Sequence, residues 1–202
     1  MERPNYLEKI KIRIQSSNKG SVFVPSDFFD IADALTVNMS LSRLSTSHLV
    51  RRVMRGVYEY PEYNDFLGEY IAPSPDKVAH ALARNYGWTI VPCGDTALNL
   101  LGLSTQVPAS WSYFCDGTYK KYKLAGFDIE FKHRTNRDIS KTSPKTALVI
   151  HAIKALGKDH VDEKIISTLA KTLSKDEKSA MLLEAKYATA WIYEIIKEIC
   201  KK

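Results

Sequence analysis

Apolar residues recur at helical spacing through residues 5–16 (NYLEKIKIRIQS), where Tyr6, Leu7, Ile10 and Ile14 form one stripe. Asn18-Lys19-Gly20 closes that helix with a turn. Ser21–Val24 reads as a short extended piece, and Pro25-Ser26-Asp27 opens a short helix with Phe28, Phe29 and Ile31 facing inward. A third helix is predicted over about 36–47, with Val37, Leu41 and Leu44 at i, i+4 and i+7. Two short strands follow, about 50–53 and 57–60, joined through Met54-Arg55-Gly56. Gly56 can take the positive φ that a tight hairpin needs, and Pro61 stops the second strand.

Residues 62–75 (EYNDFLGEYIAPSP) read as a connector stiffened by Pro73 and Pro75. Pro75 begins a helix to about Asn85 on Val78, Ala79, Leu82 and Ala83. Trp88–Val91 is a short strand, Cys93-Gly94-Asp95 leads into a helix Thr96–Leu101, and Gly102 closes it. Residues 111–133 alternate as strands (WSYFC, YKKYKLA, FDIEFKH) with turns at Asp116-Gly117 and Ala125-Gly126. From Ser143 the period becomes helical: 144–156 on Leu148, Val149, Ala152 and Leu156, then 161–173 on Val161, Ile165, Leu169 and Leu173. Ser174 to Glu177 has capping-box spacing and opens a helical stretch to about Cys200, broken near Lys186. The expected fold is α+β: a winged helix-turn-helix over 1–62, then a mixed α/β domain over 74–202 that ends in helices from about 144.

Composition changes this picture little. With 45% hydrophobic and 26% charged residues the chain is of ordinary globular type, and no apolar run approaches the ~20 residues that span a bilayer. The N-terminus alternates charge with apolar residues and lacks the apolar core of a signal peptide. Three widely spaced cysteines, Cys93, Cys115 and Cys200, fit a reducing cytoplasm and no zinc spacing. Charge is more telling. Residues 1–73 carry nine Lys/Arg and nine Asp/Glu, and residues 74–202 carry 20 against 14, the whole of the +6 excess. A neutral segment can still bind DNA when its cations share one face.

The segment 36–61 has that character, with Arg43, Arg51, Arg52 and Arg55 and no acidic residue before Glu59. A reading helix placed in a DNA groove would present Asn38, Ser40, Ser42, Arg43 and Ser45. Asn matches adenine and Arg matches guanine by hydrogen-bond geometry. Arg51, Arg52 and Arg55 on the hairpin would neutralise phosphates, with Arg55 at the tip. The bland alternative is the solvated face of an ordinary helix.

A rival chemistry lies at Asp128-Ile129-Glu130-Phe131-Lys132. Period-two spacing sets Asp128, Glu130 and Lys132 on one face, with Ile129, Phe131 and His133 toward the core. Two carboxylates and a lysine so placed are the elements of a magnesium-dependent nuclease. A solvent-facing hairpin edge with alternating charge is the favoured reading, because no upstream metal-ligating Asp/Glu pattern accompanies the motif. Trp111, Tyr113, Tyr119 and Tyr122 interleave with Lys120, Lys121 and Lys123, a pattern for base stacking or for a half-buried sheet with a basic outer face. Cys93 before Gly94 near a helix start could have a lowered thiol pKa, but a bland, partly buried cysteine is the favoured reading. No histidine pair has metal spacing, and no phosphate-binding loop or dinucleotide fingerprint is present, so neither cofactor nor metal is expected.

The runs SVFVPSDFFDIA, VNMSLSRL and LVRRVMRGVYEYP resemble the winged-helix N-terminal domain of the AbiEi-like antitoxins of type IV abortive-infection (phage-defence) systems. The run PSPDKVAHALARNYGWTIVPCGDTALNLLGLSTQVPASW resembles the start of the domain that follows it in those proteins. Together these cover about 21–115. The resemblance implies a cytoplasmic transcriptional regulator that binds an inverted-repeat operator in double-stranded DNA, as a dimer or by cooperative assembly. It also implies repression of a toxin–antitoxin operon, a nucleotidyltransferase-like toxin as functional partner, and no catalysis. Carried over by position, the recognition helix is 36–47 and the wing about 50–60.

Overall fold

The structure, a computed structural model, describes residues 5–135 and 141–202. It is a mixed α/β fold with a helical C-terminus, and it divides into two compact units, Met1–Trp88 and Thr89–Lys202. Among the described residues no helix is long and apolar enough to cross a membrane.

In the first unit α1 (Tyr6–Gln15) buries Ile10 and Ile14, the predicted stripe. β1 (Val22–Phe23) leads into a 3-10 turn, Pro25–Phe28, that buries Phe28. Phe29, expected inward, is exposed, because the tight 3-10 turn rotates it away from the side occupied by Phe28. α2 (Ala34–Thr46) is followed by β2 (Arg51–Met54) and β3 (Val57–Glu59). These strands form an antiparallel sheet in the order β1-β3-β2. Ile10, Ile14, Phe23, Phe28, Val37, Leu41, Leu44, Val50 and Tyr58 make one core, each large side chain contributing roughly 1.5–3 kcal/mol by burial.

Residues 62–75 are not a bare connector. Tyr63–Asn64 (β4) and Glu69–Tyr70 (β5) pair as a small hairpin. The Asn64 side chain accepts from the Phe66 and Leu67 amides at 3.0 and 3.1 Å, and the Tyr63 and Tyr70 rings meet edge-on at 5.1 Å. Only local turn chemistry specifies this hairpin, with no apolar alternation to advertise it. α3 (Pro75–Tyr86) is capped by Ser74 and ended by Gly87 in the left-handed conformation. The sequence pattern groups it with the second domain, whereas in the structure it packs on the first unit. Arg84 donates to both Asp27 carboxylate oxygens at 3.1 Å and to the Val22 carbonyl at 3.0 Å.

The second unit holds a four-stranded sheet in the order β6-β7-β9-β8, from β6 (Ile90–Pro92), β7 (Ser110–Cys115), β8 (Lys120–Leu124) and β9 (Phe127–His133). β7 and β9 run parallel, and the other neighbours are antiparallel. Trp111, Tyr113, Cys115, Ile129 and Phe131 are buried on one face. His133, expected to continue that face inward, is exposed at the strand end, with Nδ1 2.6 Å from the Gly117 carbonyl oxygen. The helices are α4 (Asp95–Leu100), α5 (Pro144–Leu156), α6 (Glu163–Thr172), α7 (Lys175–Glu184) and α8 (Ala190–Lys201). They share one core that runs from Ala97 and Leu101 through Val149, Ile153, Leu169 and Met181 to Ile192, Ile196 and Ile199. α5 also meets the sheet, with Ala147 against Val91 and Phe114.

Candidate nucleic-acid interface

α2 starts where Asp33 accepts hydrogen bonds from the Leu35 and Thr36 amides, both at 3.0 Å. The Thr36 amide, more than any other contact, holds the Asp33 carboxyl below its ordinary range. Val37, Leu41 and Leu44 fix the buried side, which leaves Leu35, Asn38, Met39, Ser42 and Arg43 exposed. Asn38 steadies its amide by donating to the Ala34 carbonyl at 2.7 Å, and Ser45 is half-buried.

Ser40 is a correction. It is 5% exposed and its hydroxyl donates to the Thr36 carbonyl at 2.8 Å. At 100° per residue, position 40 falls beside Leu44 in the inward stripe, so it cannot reach a base edge. Conversely Leu35 (72% exposed) and Met39 (50% exposed) lie on the outward row, apolar positions that the sequence reading passed over. Their signal was available, since they stand at i and i+4 opposite the buried stripe.

The helix ends in a Schellman motif. The Leu49 amide donates to the Leu44 carbonyl at 3.0 Å, and His48 takes the left-handed conformation at φ 60°. That reversal sends the chain directly into the hairpin. β2 and β3 pair Arg51 with Glu59, Arg52 with Tyr58 and Met54 with Val57, with an irregularity between Arg52 and Met54. Gly56, at φ 76°, makes the turn.

The four arginines of the segment have different fates. Arg51 is committed: its Nε and Nη2 donate to Glu59 Oε2 at 2.9 and 2.5 Å, and Nη2 also donates to the Ile71 carbonyl at 2.6 Å. Its charge is already compensated by a carboxylate that is 2% exposed, which leaves it less to offer a phosphate than an unpaired arginine has. Arg43, Arg52 and Arg55 are exposed and have no ion-pair partner among the described residues. A cleft of about 330 Å³ lined by Ser45, His48, Arg52 and Tyr70 joins the end of α2 to β2.

The Asp128-Glu130-Lys132 face has a structural occupation. Glu130 accepts from the Tyr119 hydroxyl and lies 3.1 Å from the Lys121 ammonium and 3.3 Å from that of Lys132. The Tyr119 hydrogen bond, then the lysines, lower its pKa to about 2 against the opposing effect of burial. Asp128 stands opposite Lys123 in the register. Among the described residues no three His, Cys, Asp or Glu side chains lie close enough to hold a metal ion. Lys121 and Lys123 sit on β8, an edge strand, where lysines block further strand pairing, and Tyr122 packs edge-on to Phe131 at 6.1 Å. Cys93 does not have a lowered pKa. Burial pushes its thiol up to about 11, outweighing the nearby Lys132.

Of the two compact units, one carries a helix and an adjoining basic hairpin, the other a mixed sheet with a helical end. The chain belongs to the family described as a family of unknown function, DUF6088, whose profile matches residues 9–181. No curated protein matches it in sequence. Among solved structures, that of the RV2827C protein from Mycobacterium tuberculosis is similar, with 10% identity and a TM-score of 0.44 over 99% of this chain and 78% of that one.

Proposed function

We propose that the chain is a DNA-binding transcriptional repressor, with α2 as the reading helix and the β2–β3 hairpin as the wing of a winged helix-turn-helix. One observation carries the reading. Of the described arginines in the first unit, Arg13 is bound to Asp30, Arg51 to Glu59 and Arg84 to Asp27. Those left exposed without a carboxylate, Arg43, Arg52 and Arg55, all fall on the helix and hairpin that such a motif sets against DNA. Asn38, Ser42 and Arg43 supply polar contacts on the outward row, and Leu35 and Met39 supply apolar surface for thymine methyl groups.

The resemblance over residues 21–115 supports the further reading, an AbiEi-like antitoxin acting in the cytoplasm on the operon of a type IV toxin–antitoxin system. An inverted-repeat operator would then engage two copies of this unit. The test is a mobility shift on the protein's own upstream DNA against a scrambled duplex, at two salt concentrations. Preference for the upstream duplex that survives the higher salt is expected. Equal binding to both duplexes, lost with salt, would reduce the chain to a merely basic protein and end the repressor reading.

A further inference from the structure

The second unit contains a cleft of about 570 Å³, within the usual size of small-ligand sites, that the repressor reading does not use. Its floor is the sheet. The parallel register places Ser112 beside Glu130 and Phe114 beside Lys132, so Ser110, Ser112 and Phe114 share a face with Lys132. The Arg134 amide donates to the Cys115 carbonyl at 2.8 Å, which extends the ladder past His133 and returns Arg134 to that same face. One wall is α5, where His151, 8% exposed, meets the Phe114 ring edge-on at 5.0 Å. Lys154 follows one turn later. The Cys93-Gly94-Asp95 turn closes one end, held where the Cys93 amide donates to the Ser112 carbonyl at 3.0 Å.

The lining is cationic. Lys132, Arg134 and Lys154 line it together with the Asp95 carboxylate, and Glu130, on the same sheet face, holds Lys132 at 3.3 Å and accepts from the Ser112 hydroxyl at 3.4 Å. Among the described residues Arg134 and Lys154 have no ion-pair partner, and Lys132 shares Glu130 with Lys121. Arg134 is also placed in advance: its guanidinium stands 4.8 Å from the centre of the Phe114 ring, a cation–π contact. The uncompensated charges of Arg134 and Lys154, with Lys132 beside them, repel a cationic ligand and gain nothing from a neutral one. A phosphoryl group brings a charge of about −1.5 to −2 and three acceptor oxygens to charge-assisted hydrogen bonds. The Ser110 hydroxyl adds a neutral donor to the lining, while that of Ser112 is given to Glu130. Cys93, protonated at neutral pH, is wall and not nucleophile.

We propose that this cleft binds a phosphomonoester, with the phosphoryl group set against Lys132, Arg134 and Lys154. The ligand is a free nucleotide or the phosphorylated end of a nucleic-acid strand, which share that chemistry.

The experiment is calorimetric titration of the full chain with AMP, inorganic phosphate, adenosine and a trinucleotide with or without a 5′-phosphate. AMP and phosphate bind and adenosine does not. The R134Q/K154Q double variant loses at least about ten-fold in affinity for AMP, with its circular dichroism unchanged, and Lys171→Gln on α6 loses nothing. Tighter binding of the phosphorylated trinucleotide than of AMP assigns the source to a strand end, and the reverse order assigns it to a free nucleotide. No saturable binding of AMP or phosphate overturns the proposal, as does equal loss in K171Q. So does a double variant that loses operator DNA while keeping AMP, since those cations would then serve a duplex backbone. Because the proposed operator contacts lie on the first unit, failure of either reading leaves the other standing.

Discussion

Arg51 closes over the carboxylate of Glu59, both of its donors falling on Oε2 across the β2–β3 register. The pair is unequal, since the Glu59 side chain is 3% exposed and that of Arg51 is 35%. Its attraction therefore serves mainly to compensate the burial of one charge. Arg51→Ala leaves that charge unpaired and is expected to cost roughly 2–3 kcal/mol of stability. Urea unfolding measures it, and a loss under 0.5 kcal/mol would show the carboxylate finding another partner.

Arg55 and Arg52 should behave in the opposite way. As exposed cations without an internal partner, their replacement by Ala is expected to change stability by less than about 0.5 kcal/mol. Each should lower the slope of log affinity against log salt by about 0.9, one phosphate contact fewer. Filter binding over a salt series checks this, and an unchanged slope removes the residue from the interface.

Asn38→Ala and Arg43→Ala are expected to relax base preference on operator DNA by about 1–3 kcal/mol each, with random DNA bound as before. Competition with single-base operator variants gives the readout. Equal weakening on operator and random DNA would sink α2 as the reading helix.

His48 sits at φ 60°, a conformation costly for a residue with a Cβ. His48→Gly is expected to raise stability by roughly 0.5–1 kcal/mol through relief of that conformation. Thermal melts decide it. A destabilised variant would show the imidazole holding the α2–β2 junction by its own contacts.

Glu130 sets a pH dependence. Its folded pKa, lowered to about 2 by the Tyr119 hydroxyl and then the lysines, lies below the ordinary carboxylate value of 4.5. The stabilisation is therefore complete above pH 4.5 and is lost as the pH falls from there toward 2, where the folded protein must also take up the proton. The loss, reduced by solvent screening of the exposed lysines, is on the order of 2 kcal/mol. Glu130→Gln should flatten this part of the stability profile, as read from urea midpoints between pH 7 and 2.5.

Local periodicity and capping chemistry made the element list legible. Val37, Leu41 and Leu44 announce α2, and Ser174 with Glu177 forms the reciprocal capping box that opens α7, at 3.2 and 2.8 Å. The break foreseen near Lys186 is a 3-10 turn, Ala185–Tyr187, between α7 and α8. These signals act within a turn or two of chain, so neighbouring residues suffice to read them.

Charge pairing and concavity were not legible, because they depend on residues distant in sequence. Arg51, Arg52 and Arg55 look alike in a row of letters, and only the cross-strand position of Glu59 separates the first from the others. Cys93 reads as a thiol near a helix start until burial raises it. Ser110, Lys132 and Lys154 stand far apart along the chain, and a parallel pairing of β7 with β9 under α5 makes them one cleft. The sequence by itself determined most of the helices and strands, the β4–β5 hairpin excepted, since those preferences are local. Which cations remain available to a ligand was decided only by the tertiary structure, since a charge is neutralised by whatever the fold brings within a few ångströms of it.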